Sequence, residues 1–487
     1  MTNARRLTLV LTVALLTLPA LASANVFPSN LSQSTNLVNT ALSQSVSLGF
    51  ILNQDATAGV TVAVKNETTS TVVRTFTFAS LTKGAQSVVW DGKDDANNVV
   101  ADGVYTFKVT ASATGFGGWT QISDDANVNL QFNSPRGVAV NQDPNSPLYG
   151  RIFVANSAAG AQGDGIFARN ADGSDSALAQ GNTALTGGID WSASTSASPW
   201  RMEVGPDNKL YVSDWSDPHG GVYRTDGDIN NGEQVLDGIG DTANPAVHGS
   251  AASSAIVSGS TAGGDMKLFV LDEDMIPHQG LYQWDINGGP LPSAVTPTLL
   301  SSPLISSVAG TTVDLARGPN GYFYLMQNRS VGNEAGIFVT DATGTTVLWD
   351  SLTATRTLLG NPTAVDQLLK SRAVAIAKDG LSMTIVIDNS SFWSVPLVNG
   401  IPDLATATLQ SVGAVNYGRD IAMDAVGNVY VSTSGYARVK IYSPAGANTS
   451  FTDSLAPIGA INVVPEPGSL LALGAGLASL VGLIRRR

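Results

Sequence analysis

The sequence predicts an all-β chain: a small Ig-like β-sandwich followed by a six-bladed β-propeller, framed by an N-terminal signal peptide and a short C-terminal transmembrane sorting helix. Three observations predict it. Apolar and polar side chains alternate in short runs between Ser45 and Ala113. One strand–turn–strand plan recurs six times beyond Trp119. Uncharged apolar runs stand at both ends of the chain.

A chain of 487 residues has room for two or three domains. Charged residues make up 13% and glycine is abundant at 50, a profile that suits turn-rich β structure outside a cell. Cysteine is absent, which excludes disulfides, cysteine-ligated metals and thiol catalysis. The formal charge is −13. Taking away Arg5, Arg6, Glu466 and Arg485 to Arg487 leaves 21 basic against 38 acidic residues. A surface that acidic repels phosphate backbones, so no nucleic acid is expected as a partner.

Arg5 and Arg6 precede "LTLVLTVALLTLPALA", and small residues close the run at Ala22 to Ala24. This order predicts a signal peptide over 1–24, cleaved after Ala24 and exported by the Sec machinery. The run is too short and wrongly flanked for a stable anchor. Residues 25–44 then read as a linker.

The sandwich is expected over 45–114. "GVTVAVKN", "VVRTFTFA" and "GVYTFKVTAS" alternate as strands, and Asp91-Gly92 and Asp102-Gly103 mark turns with Trp90 placed to fill a core. Trp-Asp-Gly-Lys-Asp-Asp followed by Asp-Gly-Val-Tyr-Thr-Phe resembles the Ig-like domain of the flagellar hook-capping protein. That resemblance implies an accessory module, and nothing suggests the flagellar role because the capping protein's other regions are missing. Asp91, Asp94, Asp95 and Asp102 are candidate calcium ligands, but their spacing departs from the D-x-[DN]-x-[DN]-G loop, and a solvated turn is the other reading.

The propeller is expected over 121–461. Its clearest repeats read "PWRMEVGPDNKLYVSDWSDPHGGVYRTDGD" and "YGRDIAMDAVGNVYVSTSGYARVKIYSPAG", while the first strand of the third is degenerate. These segments are similar to NHL-type and YWTD repeats. Such families include ligand-binding ectodomains, lyases and lactonases, so the fold does not choose a function.

Aligning the repeats brings Arg136, Arg372 and Arg419 to one position before the first strand, with Trp200 there in the second repeat and Arg201 beside it. Asn156, Asp214, Asp272, Asn328 and Asp388 align at the end of the second strand. One reading is a mouth ringed by guanidinium and carboxylate groups, suited to acidic sugars or hydroxyl-rich glycans. The other is the inter-blade arginine–aspartate pairing that the YWTD resemblance implies. Glu203 breaks the symmetry, standing where other first strands carry alanine. With Asp314 and Asn156 it could coordinate a divalent ion such as calcium; otherwise no cofactor is expected. His219 and His278 occupy matching loops, "DPHGGVY" and "IPHQGLY", as metal or acid–base candidates or as ordinary loop residues. No G-x-S-x-G, P-loop or H-E-x-x-H motif occurs.

The chain ends in Val464-Pro465-Glu466-Pro467, an uncharged run from Gly468 to Ile484, and Arg485-Arg486-Arg487. Seventeen apolar residues are the lower limit for a spanning helix, and the arginines would stay in the cytoplasm. This order is similar to the PEP-CTERM sorting signal of Gram-negative bacteria. The resemblance implies an exosortase-type sorting enzyme as partner, transient anchoring in the inner membrane, and an exopolysaccharide-rich, biofilm setting. The expectation is an exported, non-catalytic protein whose propeller binds polysaccharide or another surface protein. The alternative is a propeller hydrolase or lyase acting on a glycan or lactone.

Overall fold

The computed structural model describes residues 25–178, 180–181, 191, 198–214, 221–236, 254–260, 262–272, 280–286, 298–301, 310–329, 333–387, 392–410 and 417–463. Ala24 and the sorting residues Val464, Pro465, Glu466, Pro467, Arg485, Arg486 and Arg487 lie outside them, as do His219, His278 and Asp388. Among the described residues no helix is long and apolar enough to cross a membrane, and the expected sorting helix falls outside them. The described chain is all-β apart from two single-turn 3-10 helices and one nine-residue helix, α1 (Ser351–Leu359), capped by Asp350 and Gly360.

The chain opens with β1 (Pro28–Gln33) and β2 (Leu37–Asn39), where a linker was expected. β3 (Val46–Leu52), β4 (Gly59–Asn66), β5 (Val72–Phe78), β6 (Gly84–Trp90) and β7 (Gly103–Phe116) follow. Alternation turns Val60, Val62 and Val64 of β4 inward onto Trp90, Tyr105 and Phe107. The Trp90 and Tyr105 rings lie 5.2 Å apart. Each ring's polar tip finds a carbonyl, Trp90 Nε1–H donating to Lys93 at 2.9 Å and Tyr105 O–H to Ala101 at 2.7 Å. β1, β3 and β6 form one sheet, and β7, β4 and β5 form part of the other.

After β8 (Thr120–Gln121) come six further sheets among the described residues. The first holds β9 (Pro135–Val140), β10 (Ile152–Asn156) and β11 (Gly165–Arg169). The second holds β12 (Met202–Val204), β13 (Leu210–Asp214), β14 (Gly221–Thr225) and β15 (Gly232–Leu236). The third begins with β16 (Ser254–Ser258), the strand missed in the degenerate repeat, and continues with β17 (Lys267–Asp272), β18 (Gly280–Asp285) and β19 (Thr298–Ser301). The fourth has β20 (Gly310–Arg317), β21 (Phe323–Arg329), β22 (Ile337–Thr340) and β23 (Val347–Asp350). The fifth has β24 (Ser371–Ile376), β25 (Ser382–Ile387), β26 (Phe392–Val398), β27 (Ile401–Pro402) and β28 (Thr408–Gln410). The sixth has β29 (Gly418–Met423), β30 (Val429–Thr433) and β31 (Arg438–Ser443), and β8 completes it, with Tyr442 opposite Gln121.

The strands β10, β13 and β30 are buried at every position, as continuous apolar runs packed on both faces should be. The first strands of successive sheets are neighbours in cyclic order: β9 beside β12, then β16, β20, β24 and β29, with β29 against β9.

The chain then returns to the sandwich. β32 (Gly446–Asp453) pairs with the long strand β7, and β33 (Ile458–Ile461) is held between β7 and β2. The six sheets are thus an insertion between β7 and β32, and residues 446–461 belong to the sandwich, not to the repeats. The crossing point demands glycine. A Cβ on Gly115, whose φ is +74°, would meet the Gly446 carbonyl oxygen at 1.4 Å.

Candidate functional site

The six first strands surround an axial cavity of about 620 Å³. Register decides which side chains share a level. Ala139 pairs with Phe153, Ala316 with Tyr324, Ala375 with Thr384 and Ala422 with Tyr430. Glu203 pairs with the corresponding Tyr211, so it takes the alanine place of the other strands, and Ile256 takes it in the third sheet. Glu203 is exposed to solvent within the cavity that it lines, with the walls of the six first strands around it. Burial first, then the nearby carboxylates Asp314 and Asp420, pushes its pKa up to about 8.

One level toward the strand starts lie Gly137, Arg201, Asp314, Ala373 and Asp420. Arg201 Nη1 meets Asp420 Oδ1 at 2.5 Å, and its Nη2 donates to the Arg372 carbonyl at 2.8 Å. Asp420 accepts the Val138 N–H at 2.8 Å, and Asp314 accepts the Val374 N–H at 2.7 Å. These carboxylates fasten one first strand to the next. Burial outweighs the Arg201 charge and raises the Asp420 pKa above the carboxylate range.

At the strand starts the ladder slips. Pro135 pairs with Asn156 and Gly137 with Ala155, which leaves Arg136 as the extra residue of a β-bulge. The same slip isolates Arg372 between Ser371 and Ala373, and Arg419 between Gly418 and Asp420. Arg136 Nε donates to Ser157 Oγ at 3.2 Å and Arg419 Nε to the equivalent Ser434 Oγ at 3.0 Å. The Arg136 and Arg201 guanidiniums lie over the Trp200 indole, 5.2 and 5.8 Å from its centre. Burial, then Arg201 and Arg372, lowers the Arg136 pKa, so three guanidiniums gather at one end of the cavity.

Where it is described, the polar row expected beside them stands at the same end, with Asn156 opposite Pro135 and Asp214 reaching Ser198 just ahead of Trp200. Asp214 is buried and accepts the Ser198 hydroxyl. Asp272 ends β17. Asn156 bonds the Ser134 N–H at 2.9 Å and the Gly163 carbonyl at 2.6 Å. Of the Glu203, Asp314 and Asn156 candidates, Asp314 acts on Glu203, while both polar atoms of the Asn156 amide are engaged by backbone groups. Among the described residues no group of three His, Asp or Glu side chains could hold a metal ion. In the sandwich, Asp91 pairs with Lys93 at 3.4 Å, Asp94 accepts the Asn98 N–H, Asp95 the Thr75 N–H and Asp102 the Asn462 N–H. These acids brace turns.

The Ig-like sandwich docks at the other end of the ring. Phe27 packs on Tyr149 at 5.2 Å, and Asn428 Nδ2 donates to the Asn25 carbonyl at 2.9 Å. Tyr149 and Asn428 follow the ends of β9 and β29, whereas Arg136 and Arg419 stand at their starts. The arginines therefore face away from the sandwich.

Residues 34–115 match the FlgD Ig-like domain family, and residues 463–487 match the PEP-CTERM protein-sorting motif. The chain carries both. The motif marks an exported, membrane-transiting protein of Gram-negative bacteria, processed by an exosortase. No curated protein matches the sequence. Among solved structures, a protein of unknown function from Bacteroides thetaiotaomicron shares 11% identity, covering 86% of this chain and 97% of its own, at a TM-score of 0.42. A gluconolactonase from Xanthomonas campestris shares 10% identity, with coverages of 71% and 99% and a TM-score of 0.39. FLGD from P. aeruginosa shares 23% identity over 20% of this chain and 64% of its own, at a TM-score of 0.15. Likenesses this distant carry no chemistry over to this chain.

Two features of the site escaped the sequence. The bulges that set the arginines apart leave no residue signature, and the Arg201–Asp420 pair joins strands of non-adjacent sheets. A glycine at 137, where neighbours carry larger residues, was the available hint.

Proposed function

We propose that the six sheets close into a six-bladed β-propeller, displayed outside a Gram-negative cell, that binds an acidic polysaccharide through its arginine-lined mouth. The cyclic neighbours β9 to β29 and the fastening of β31 by β8 support the closure. The tail spans the inner membrane through 468–484 until an exosortase processes it.

The observation that carries the binding reading is that bulges set Arg136, Arg372 and Arg419 at the strand starts, with Arg136 over the Trp200 indole, at the end facing away from the sandwich. Guanidiniums take carboxylates in a bidentate fork, which suits uronate-type sugars. The 21 basic against 38 acidic residues left without the two terminal segments oppose long-range capture of an anion, so recognition is local and weakens with salt.

A glycan array with the mature protein tests this, comparing uronate-containing with neutral saccharides. Binding to the acidic class, lost in the Arg136→Ala/Arg372→Ala/Arg419→Ala protein, is the expected result. Equal binding by that variant, or no saccharide bound, sinks the reading.

The enzymatic alternative has one specific support, a Glu203 carboxyl in the cavity whose pKa is pushed up to about 8. A hydrolase or lyase needs a second group, and Asp314 and Asp420 are committed to the Val374 and Val138 N–H groups. Lactonase and lyase turnover abolished by Glu203→Gln would replace the binding reading.

A further inference from the structure

The C-terminal segment runs the whole length of the sandwich. It leaves the ring at Gly446 beside Phe116 and ends with Ala460 opposite Gly103, at the other end of β7. The 14 residues of β7 span about 43 Å at ~3.3 Å per residue. The sandwich thus has two poles, one on the ring and one where the chain becomes the sorting tail.

That second pole is built from β2, the 3-10 turn Thr40–Leu42, the turn before β7 and the end of β33. Polar ties hold the last described residues tightly to it. Asn39 Nδ2 donates to the Val463 carbonyl at 2.9 Å, Thr40 Oγ1 to the Ile461 carbonyl at 3.1 Å, and Asp102 accepts the Asn462 N–H at 2.8 Å. Around this point five apolar side chains are 44% to 51% exposed: Leu37, Leu42, Val99, Val104 and Val463. Leu37 and Val104 stand on either side of Gly459 in one row of the sheet. Single exposed apolar residues need no explanation, but a cluster at one pole does.

We propose that this pole rests on the lipid bilayer while the tail is anchored. The occupant follows from chain length. Val464 to Pro467 are four residues, so Gly468, where the uncharged run begins, lies five steps and at most about 18 Å from Val463. With the chain tied down to Val463, that short tether holds the pole at the headgroup region, where apolar side chains are stabilised by partial burial. The propeller mouth then points away from the membrane. The inference rests on the proposed insertion of the tail. The carboxylates Asp91, Asp94 and Asp95 lie in the turn beside the pole, so zwitterionic lipid suits it better than anionic lipid.

The chain has no cysteine, which permits single-site labelling. The chain from Asn25 to Arg487 carrying Leu42→Cys, Val104→Cys or, on the ring, Leu409→Cys is labelled with an environment-sensitive fluorophore and reconstituted into protein-free phosphatidylcholine vesicles. Flotation reports tail insertion, and quenching by lipid spin-labelled near the headgroup reports contact. Blue-shifted, quenched emission at 42 and 104 but not at 409, reduced by anionic lipid, is the expected result. Flotation without quenching at 42 and 104 overturns the bilayer contact, leaving a protein as the patch's occupant. A chain that does not float overturns it together with the inserted-tail reading beneath it.

Discussion

Arg201 and Asp420 hold each other at 2.5 Å across the head of the axial cavity, from sheets that are separated by β9. The backbone at Trp200 and Arg201 passes over Gly137, where a Cβ would stand 2.3 Å from the Trp200 carbonyl oxygen. Both partners are buried, Asp420 also accepting two backbone N–H bonds. The pair ties three sheets together at the level where the arginine mouth meets the cavity.

Removing one partner strands the other. Arg201→Met is expected to cost about 3–5 kcal/mol of stability at pH 8, because Asp420 is then buried without its counter-charge. The loss shrinks in acid, where the carboxyl takes up a proton. Urea unfolding at pH 5 and pH 8 measures it, and equal losses at both would show that the ion pair is not the cause.

Gly137→Ala forces the new methyl group against Trp200 and Arg201. Overpacking of this kind costs about 1–3 kcal/mol. A thermal midpoint equal to that of the native protein would contradict the close approach of β9 to the second sheet.

Glu203 makes stability depend on pH in an unusual direction. Its folded pKa is raised from 4.5 to about 8, so between those values the folded chain holds a proton that the unfolded chain has released. Stability from this group is therefore full below pH 4.5 and is lost as pH rises through 8. In Glu203→Gln the fall in thermal midpoint from pH 5 to pH 9 becomes shallower, with Asp420 still contributing in the same direction. An unchanged slope would mean that the carboxyl is ionised in the folded protein.

The insertion makes a directional prediction for truncation. Ending the chain at Val463 leaves β32 and β33 in place and the thermal midpoint unchanged. Ending it at Ser443 uncovers one edge of β7 and removes Ile458 and Ala460 from the sandwich core. That protein is expected to be insoluble or to unfold far below the native midpoint, and scanning calorimetry on the two truncated proteins distinguishes them.

Much of the fold was legible in the sequence because period-two alternation is a local property. Val60, Val62 and Val64 announce their inward face within eight residues, and Trp90 stands out as a core filler. Glu203 was legible for a similar reason, since an aligned column of alanines makes one glutamate conspicuous. The strand Ser254–Ser258 was not, because its few apolar residues resemble a loop until β17 pairs with it. Residues 25–44 read as a linker because "LVN" and "PSNLSQ" acquire strand geometry from partners in β33 and β3.

By itself the sequence determined what local chemistry can encode: an all-β chain with repeated sheets, a sorting motif in its last residues, no cysteine and an acidic balance. Tertiary structure alone decided that residues 446–461 return to complete the sandwich, that bulges present Arg136, Arg372 and Arg419, and that Arg201 reaches Asp420. The physical reason is distance along the chain. Alternation and turn chemistry act over a few residues, whereas Asp453 meets Lys108, and Gln121 meets Tyr442, through backbone bonds whose partners carry no mutual signature.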